Sequence, residues 1–172
     1  YKNVEKDYDK MKEYYLMAID NGDSDAMYNL GSHYKNVEKD YDKMKEYYLM
    51  AIDNGNSTAM YDLGWHYKNV EKDYDKMKKY YLMAIDNGDS NAMYNLGWHY
   101  QDVEKDYDKM KEYYLMAIGK GNTCAMYNLG SHYQHVEKDY NKMKEYYLMA
   151  IGKGNSNVMF NLGWHYQHVE KD

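Results

Sequence analysis

Imidazole is the group in this chain best suited to ligate a metal or to carry a proton near neutral pH. It stands at His33, His66, His99, His132 and His165, one every 33 residues, with His135 and His168 three residues beyond the last two. Ligands of one metal ion must converge closely around it. Histidines a whole repeat apart are separated by a layer of structure, so a shared centre needs unusual geometry. The pairs His132/His135 and His165/His168 each share a helical face, yet two ligands alone rarely hold zinc. The sequence predicts solvated or packed histidines, with no metal centre and no cofactor.

Cys124 is the one thiol. It falls near the start of a predicted helix. Its column otherwise holds Asp25, Thr58, Asn91 and Asn157, a variable polar set with no catalytic pattern. No phosphate-binding glycine loop occurs, so no catalytic residue is assigned and no enzyme is predicted. A single cysteine allows no internal disulfide and points to a reducing, cytoplasmic setting. A net charge of −6, with 22 basic residues that are all Lys, lacks the basic stripe of a nucleic-acid binder. Residues 1–33 hold four Lys against seven acidic residues, and residues 133–165 four against three, so the acidity lies toward the start. No apolar run approaches the ~18 residues of a membrane span. Asn56-Ser57-Thr58 matches a glycosylation acceptor triplet.

The elements that position these groups repeat with them. Copies begin at Tyr1, Tyr34, Tyr67, Tyr100 and Tyr133, with a partial sixth over 166–172 and no insertion anywhere. A fixed period in this range is the signature of stacked supersecondary units, and it outranks local readings. The chain thus reads as one array over 1–172. It opens in mid-repeat without an initiator Met, as a piece of a longer protein would. Each copy predicts two helices. Asp40 caps the first, whose apolar face is Tyr41, Met44, Tyr48, Ala51 and Ile52 at helical spacing. Asn54-Gly55 stops it. Asn56 or Ser57 caps the second, which buries Ala59, Met60, Leu63, Gly64 and Tyr67 and runs to about Asn69. Gly31, Gly64, Gly97, Gly130 and Gly163 sit inside this second helix, where Gly costs about 1 kcal/mol relative to Ala. Either a neighbouring helix approaches closely there, or the helix kinks or ends.

Ala26 to Leu30, Gly31, Tyr34, Asp40-Tyr41, Lys43, Tyr47-Tyr48, Ala51 and Gly55 together resemble the Sel1-like repeat, a variety of tetratricopeptide-like helix pair. The resemblance covers the whole chain. It implies an all-α, right-handed α-solenoid of stacked antiparallel helix pairs that binds other proteins as a scaffold or adaptor. The chain departs from the family pattern by lacking the glycine loop between the Tyr34-type and Asp40-type positions, and by placing Met at 11, 44, 77, 110 and 143 where the family prefers Ala. The cysteine pair of some secreted members is also absent. The Lys-, Asn- and Tyr-rich, Arg-free style resembles repeat proteins encoded by giant amoebal DNA viruses, which places the protein in the host cytoplasm.

Two surfaces remain for function. The second helix lines the concave groove in the family, and its outer columns hold Tyr28, Tyr61, Tyr94, Tyr127 and Phe160, beside Ser32, Trp65, Trp98, Ser131 and Trp164. A Trp that alternates with Ser is no part of a repeated core, so it is at least partly exposed unless folded down onto its neighbour. Trp and Tyr dominate binding hot spots. The predicted partner-binding set is therefore Tyr28, Asn29, Tyr61, Trp65, Tyr94, Asn95, Trp98, Tyr127, Asn128, Phe160 and Trp164, with the Asn95 and Asn128 amides holding a peptide backbone. The partner is a protein or peptide, neither nucleic acid nor membrane. The other surface is the Leu-Met pair at 16–17, 49–50, 82–83, 115–116 and 148–149, which falls off the main apolar face. Coverage by neighbouring units is the expectation. An exposed ridge would instead drive weak self-association and a structural role.

Overall fold

A computed structural model describes residues 7–169; the start of the first copy at Tyr1 and the last three residues of the partial sixth lie outside them. The described residues form ten α-helices and no strand. They divide into two compact units, one up to Asn87 and one from Gly88. Unit 1 holds α1 (Tyr8–Ile19), α2 (Ser24–His33), α3 (Tyr41–Asp53), α4 (Ser57–His66) and α5 (Tyr74–Asp86). Unit 2 holds α6 (Ser90–His99), α7 (Tyr107–Gly119), α8 (Thr123–His132), α9 (Tyr140–Gly152) and α10 (Asn157–His168). The third copy is shared, its first helix in unit 1 and its second in unit 2.

Side-chain caps set the starts. The carboxylate of Asp40 accepts from Lys43 N–H at 3.0 Å, and Asp7, Asp73, Asp106 and Asp139 repeat that bond. Asn56, not Ser57, caps α4, accepting from Ala59 N–H at 3.0 Å. Its NH2 donates to Asp25 at 2.9 Å, so the amide of the acceptor triplet is engaged at a helix start. Gly55 ends α3 at φ +84°, a left-handed position open to glycine.

α10 runs to His168, the position equivalent to Asn69, as expected, but the other four second helices end earlier. α4 stops at His66 and the chain continues through a π-helical turn, Tyr67–Glu71. Lys72 then takes φ 58°, and the N–H groups of Lys72 and Asp73 both donate to Tyr67 C=O. Tyr34–Glu38, Tyr100–Glu104 and Tyr133–Glu137 repeat this device. It replaces the missing glycine loop with a wide turn closed by a left-handed lysine.

Packing follows the repeat. α2, α4 and α8 each pack more heavily on the next copy's first helix than on their own. Glycine permits this. A Cβ built on Gly31 would lie 2.6 Å from Tyr48 Cδ1, and one on Gly64 2.6 Å from the same atom of Tyr81. Gly97 and Gly130 meet Tyr114 and Tyr147 likewise. Close approach is therefore the reason for four of the five glycines. Gly163 is the exception, with nothing within 4 Å, because no first helix follows it among the described residues. Met44, Tyr48, Ala51 and Leu63 in unit 1, and Met110, Tyr114, Ala117 and Leu129 in unit 2, have no exposed surface. At one end, α1 buries no residue.

The Leu-Met surface differs from expectation. Leu16, Leu49, Leu82, Leu115 and Leu148 are all exposed, from 39% to 56%, so neighbouring units do not cover them. Helices pack on one another through the Met44–Tyr48–Ala51 stripe, and leucine one residue past Tyr48 points about 100° away from it.

Candidate partner-binding face

The recurrent histidines are packed, and four of them, His33, His66, His99 and His132, are each tied to a carboxylate. His66 is 1% exposed, lies between the rings of Tyr41 and Tyr67, and its Nε2 is 3.2 Å from Glu71 Oε1. His33–Glu38, His99–Glu104 and His132–Glu137 pair in the same way at 3.0–3.2 Å. A lysine of the copy's first helix reaches the same carboxylate: Lys45 Nζ is 2.8 Å from Glu71, and Lys12 and Lys111 bind Glu38 and Glu137. Lysine holds the Glu71 and Glu137 carboxyls below the usual carboxylate range. Burial holds the imidazoles of His66 and His132 below their ordinary value. The trio clips first helix, second helix and π-turn together. Among the described residues no three His, Cys, Asp or Glu groups are placed to hold a metal ion.

Aromatic residues of the second helices build the outer face. In unit 1, Tyr28 stacks on Tyr48 at 5.4 Å and donates to Asp62 at 3.1 Å, while Tyr61 stacks on Tyr81 at 5.7 Å. Asn29 is exposed. Trp65 is 39% exposed, and Lys35 Nζ sits 5.1 Å from its ring centre. In unit 2, Tyr94 stacks on Tyr114 and Tyr127 on Tyr147, at 5.9 and 6.0 Å. Phe160 is 75% exposed, Trp164 is 46% exposed, and Trp98 is half-buried. His168 stacks on Trp164 at 4.6 Å.

The predicted amide donors are used within the fold. Asn95 NH2 donates to Asn91 C=O at 2.9 Å. Asn128 NH2 donates to the hydroxyls of Tyr94 and Tyr114, at 3.2 and 3.3 Å. Asn128 thus braces tyrosines of the face, and Asn95 is held to its own helix.

Two open grooves of unit 2 gather the predicted residues. One, about 330 Å³, is lined by Tyr127, Phe160 and Trp164 together with Gln134, His135 and Asn161. The other, about 320 Å³, is lined by Tyr94, Tyr127, Asn128, Cys124, Asn155 and Asn157. Gln134, His135 and Asn161 were not among the predicted site residues. Gln134 follows the helix-closing Tyr133 and so enters the face only because the π-turn carries the chain onward. Tyr147 donates to its Oε1 at 2.8 Å, and burial pushes that phenol up to about 12, which keeps the donor protonated.

Across these helix pairs the Sel1 repeat model matches five times, at residues 2–23, 24–56, 57–89, 90–122 and 125–155. The chain belongs to the Sel1 repeat family. Sel1 solved structures share its fold. A protective antigen of uropathogenic Escherichia coli displaying an SLR fold is 25% identical, with TM-score 0.76, over 94% of this chain and 38% of its own. A Sel1 repeat protein from Oxalobacter formigenes is 27% identical with TM-score 0.65, over 82% and 63%. An immunity protein from Pseudomonas aeruginosa is 26% identical with TM-score 0.59, over 99% and 67%. The chain thus spans less than two thirds of the first two. No curated protein matches the sequence. Sel1 repeat proteins serve as protein-interaction scaffolds. No helix among the described residues is long and apolar enough to cross a membrane.

Proposed function

We propose that this Sel1 protein is a non-enzymatic scaffold or adaptor that binds a peptide or partner helix on the outer face of its second helices. One observation carries the reading. The residues not needed for the repeated core, Tyr127, Phe160 and Trp164, converge on an open groove, whereas His132, Glu137 and Lys111 are tied to one another. Rigid aromatic side chains gathered in a concave surface are what binding hot spots use. The test is a partner recovered by pull-down and titrated against Trp65→Ser, Trp98→Ser and Trp164→Ser. All three fold normally, since Ser32 and Ser131 already occupy that column. At least one weakens binding by roughly 1–3 kcal/mol. Unchanged affinity in all three moves the site off this face.

A second reading is favoured by the exposed leucines. The C-terminal ends of the first helices carry Asp20, Asp53 and Asp86 in unit 1 and Lys120 and Lys153 in unit 2, all exposed. Exposed leucines beside acidic helix ends in one unit, and beside basic ones in the other, suit association with another copy. Light scattering that shows a concentration-dependent oligomer, abolished by Leu-Met to polar changes, supports it. A steady monomer removes it.

A further inference from the structure

Because the chain repeats, one site can be read against another on the same backbone. In unit 1 the Trp65 ring has two charges beside it: Lys35 Nζ is 5.1 Å from the ring centre and 3.8 Å from the Asp62 carboxylate. Three periods later, Gln134 stands for Lys35, Asn161 for Asp62, Trp164 for Trp65, Phe160 for Tyr61 and Tyr127 for Tyr28. The ammonium, the carboxylate and one phenol hydroxyl are all gone, while the large rings are kept. The resulting groove of about 330 Å³ has three rings, two amides and His135 in its lining, with no carboxylate and no lysine among the described residues.

We propose that this groove takes one uncharged aromatic or aliphatic side chain of a partner segment, with the Gln134 and Asn161 amides beside the adjoining peptide group. The proposal rests on the reading that the second-helix face binds partners. Its volume is at the low end for ligand sites, which suits a single anchor rather than an extended molecule. Three rings offer a large area for dispersion and for offset or edge-to-face stacking. A charged anchor would lose its hydration and meet no carboxylate or lysine among the described lining residues. Trp65 differs on that last count, since a lysine and a carboxylate of the chain itself already lie against it. The two Trp sites therefore select different chemistry: the groove at Trp164 is neutral and the face at Trp65 is polar.

The experiment uses the full chain carrying Trp65→Ser and Trp98→Ser, which leaves Trp164 as the sole tryptophan reporter. Blocked alanine pentapeptides with Phe, Leu, Lys or Glu at the centre are titrated against its fluorescence. The Phe and Leu peptides shift the emission saturably, and the Lys and Glu peptides bind at least tenfold more weakly. Gln134→Lys with Asn161→Asp, which installs the residue pair of unit 1, weakens the Phe peptide at least tenfold while helicity is retained. Tighter binding of the Lys peptide would show a cation slot built on the rings and overturn the proposal. So would an unchanged Phe affinity in the double variant, or no binding by any peptide. A recovered partner that still loses affinity on Trp164→Ser would then show that the face binds by other chemistry. A partner indifferent to all three Trp changes fails the broader reading instead.

Discussion

Lysine takes a left-handed backbone at Lys39, Lys72, Lys105 and Lys138, with φ between 57° and 59°. A side chain with a Cβ is strained there, whereas glycine is not, although glycine also loosens the unfolded chain. Lys72→Gly is expected to stabilise the protein by roughly 0.5–1 kcal/mol, read as a higher urea midpoint at constant slope. A lower midpoint would mean that the lysine side chain contributes more than its strain costs. Glycines in the second helices give the opposite contrast. Gly64→Ala places a methyl group 2.6 Å from Tyr81 Cδ1, an overpacking that destabilises by about 1–3 kcal/mol. Gly163→Ala meets nothing within 4 Å, so helix propensity alone acts and stability rises by up to about 1 kcal/mol. Equal effects from the two would remove close approach as the reason for the conserved spacing within the chain. The sequence reading found the glycines by their phase in the helix, and the terminal one escaped because a spacing pattern does not say whether a neighbour is present.

At the scale of the element, the π-turn decides what the repeat can tie together. In a regular α-helix, residues five apart are separated by about 140° around the axis. A wide turn closes on i→i+5 bonds, and here His66 and Glu71, five apart, meet across it at 3.2 Å. Capping aspartates and the Met44–Tyr48–Ala51 stripe were legible, because caps and helical periodicity are local signals. The π-turn was not, since Tyr67-Lys68-Asn69-Val70-Glu71 carries no propensity that separates it from one more helical turn. Its Glu partner for histidine was missed with it. The clip predicts acid sensitivity. Burial keeps the imidazoles of His66 and His132 below their ordinary 6.5, so the unfolded chain binds protons that the native state refuses. Stability should fall as pH drops through about 6.5, until the native imidazoles are protonated in turn. Glu71 and Glu137, held low chiefly by Lys45 and Lys111, add a second loss below 4.5. Urea midpoints between pH 8 and 4 check the first window. His66→Gln should flatten its share of that slope, and an unaltered slope would assign the acid response elsewhere.

Over the whole molecule, interactions recur at the period itself. Tyr28 reaches Asp62 and Asn128 reaches Tyr94, each 34 positions apart, and Asn122 reaches Ser90 across 32. Few contacts depend on a residue's absolute position; most depend on its phase. Stability in such arrays is close to a sum of unit and nearest-neighbour terms. Excising residues 41–73 joins Asp40 to Tyr74, and Tyr81 then faces Gly31 in the place of Tyr48. That shortened chain should fold with unchanged helicity per residue and a modestly lower melting temperature. Excising residues 41–70, three fewer, puts every following cap and glycine out of phase and should abolish cooperative unfolding; cooperative melting in both would mean the phase is not what holds the units together. A gene written in near-copies can gain or lose segments by misaligned recombination, and the products differ by whole copies wherever the crossover falls. Every such product keeps the phase of the repeat and the recurring Glu-Lys-Asp-Tyr seam, so variation in length changes stability by steps and leaves the fold of each copy as it was. The left-handed lysine turn, identical at each seam, makes copy number a quantity that inheritance can vary freely while the fold stays the same.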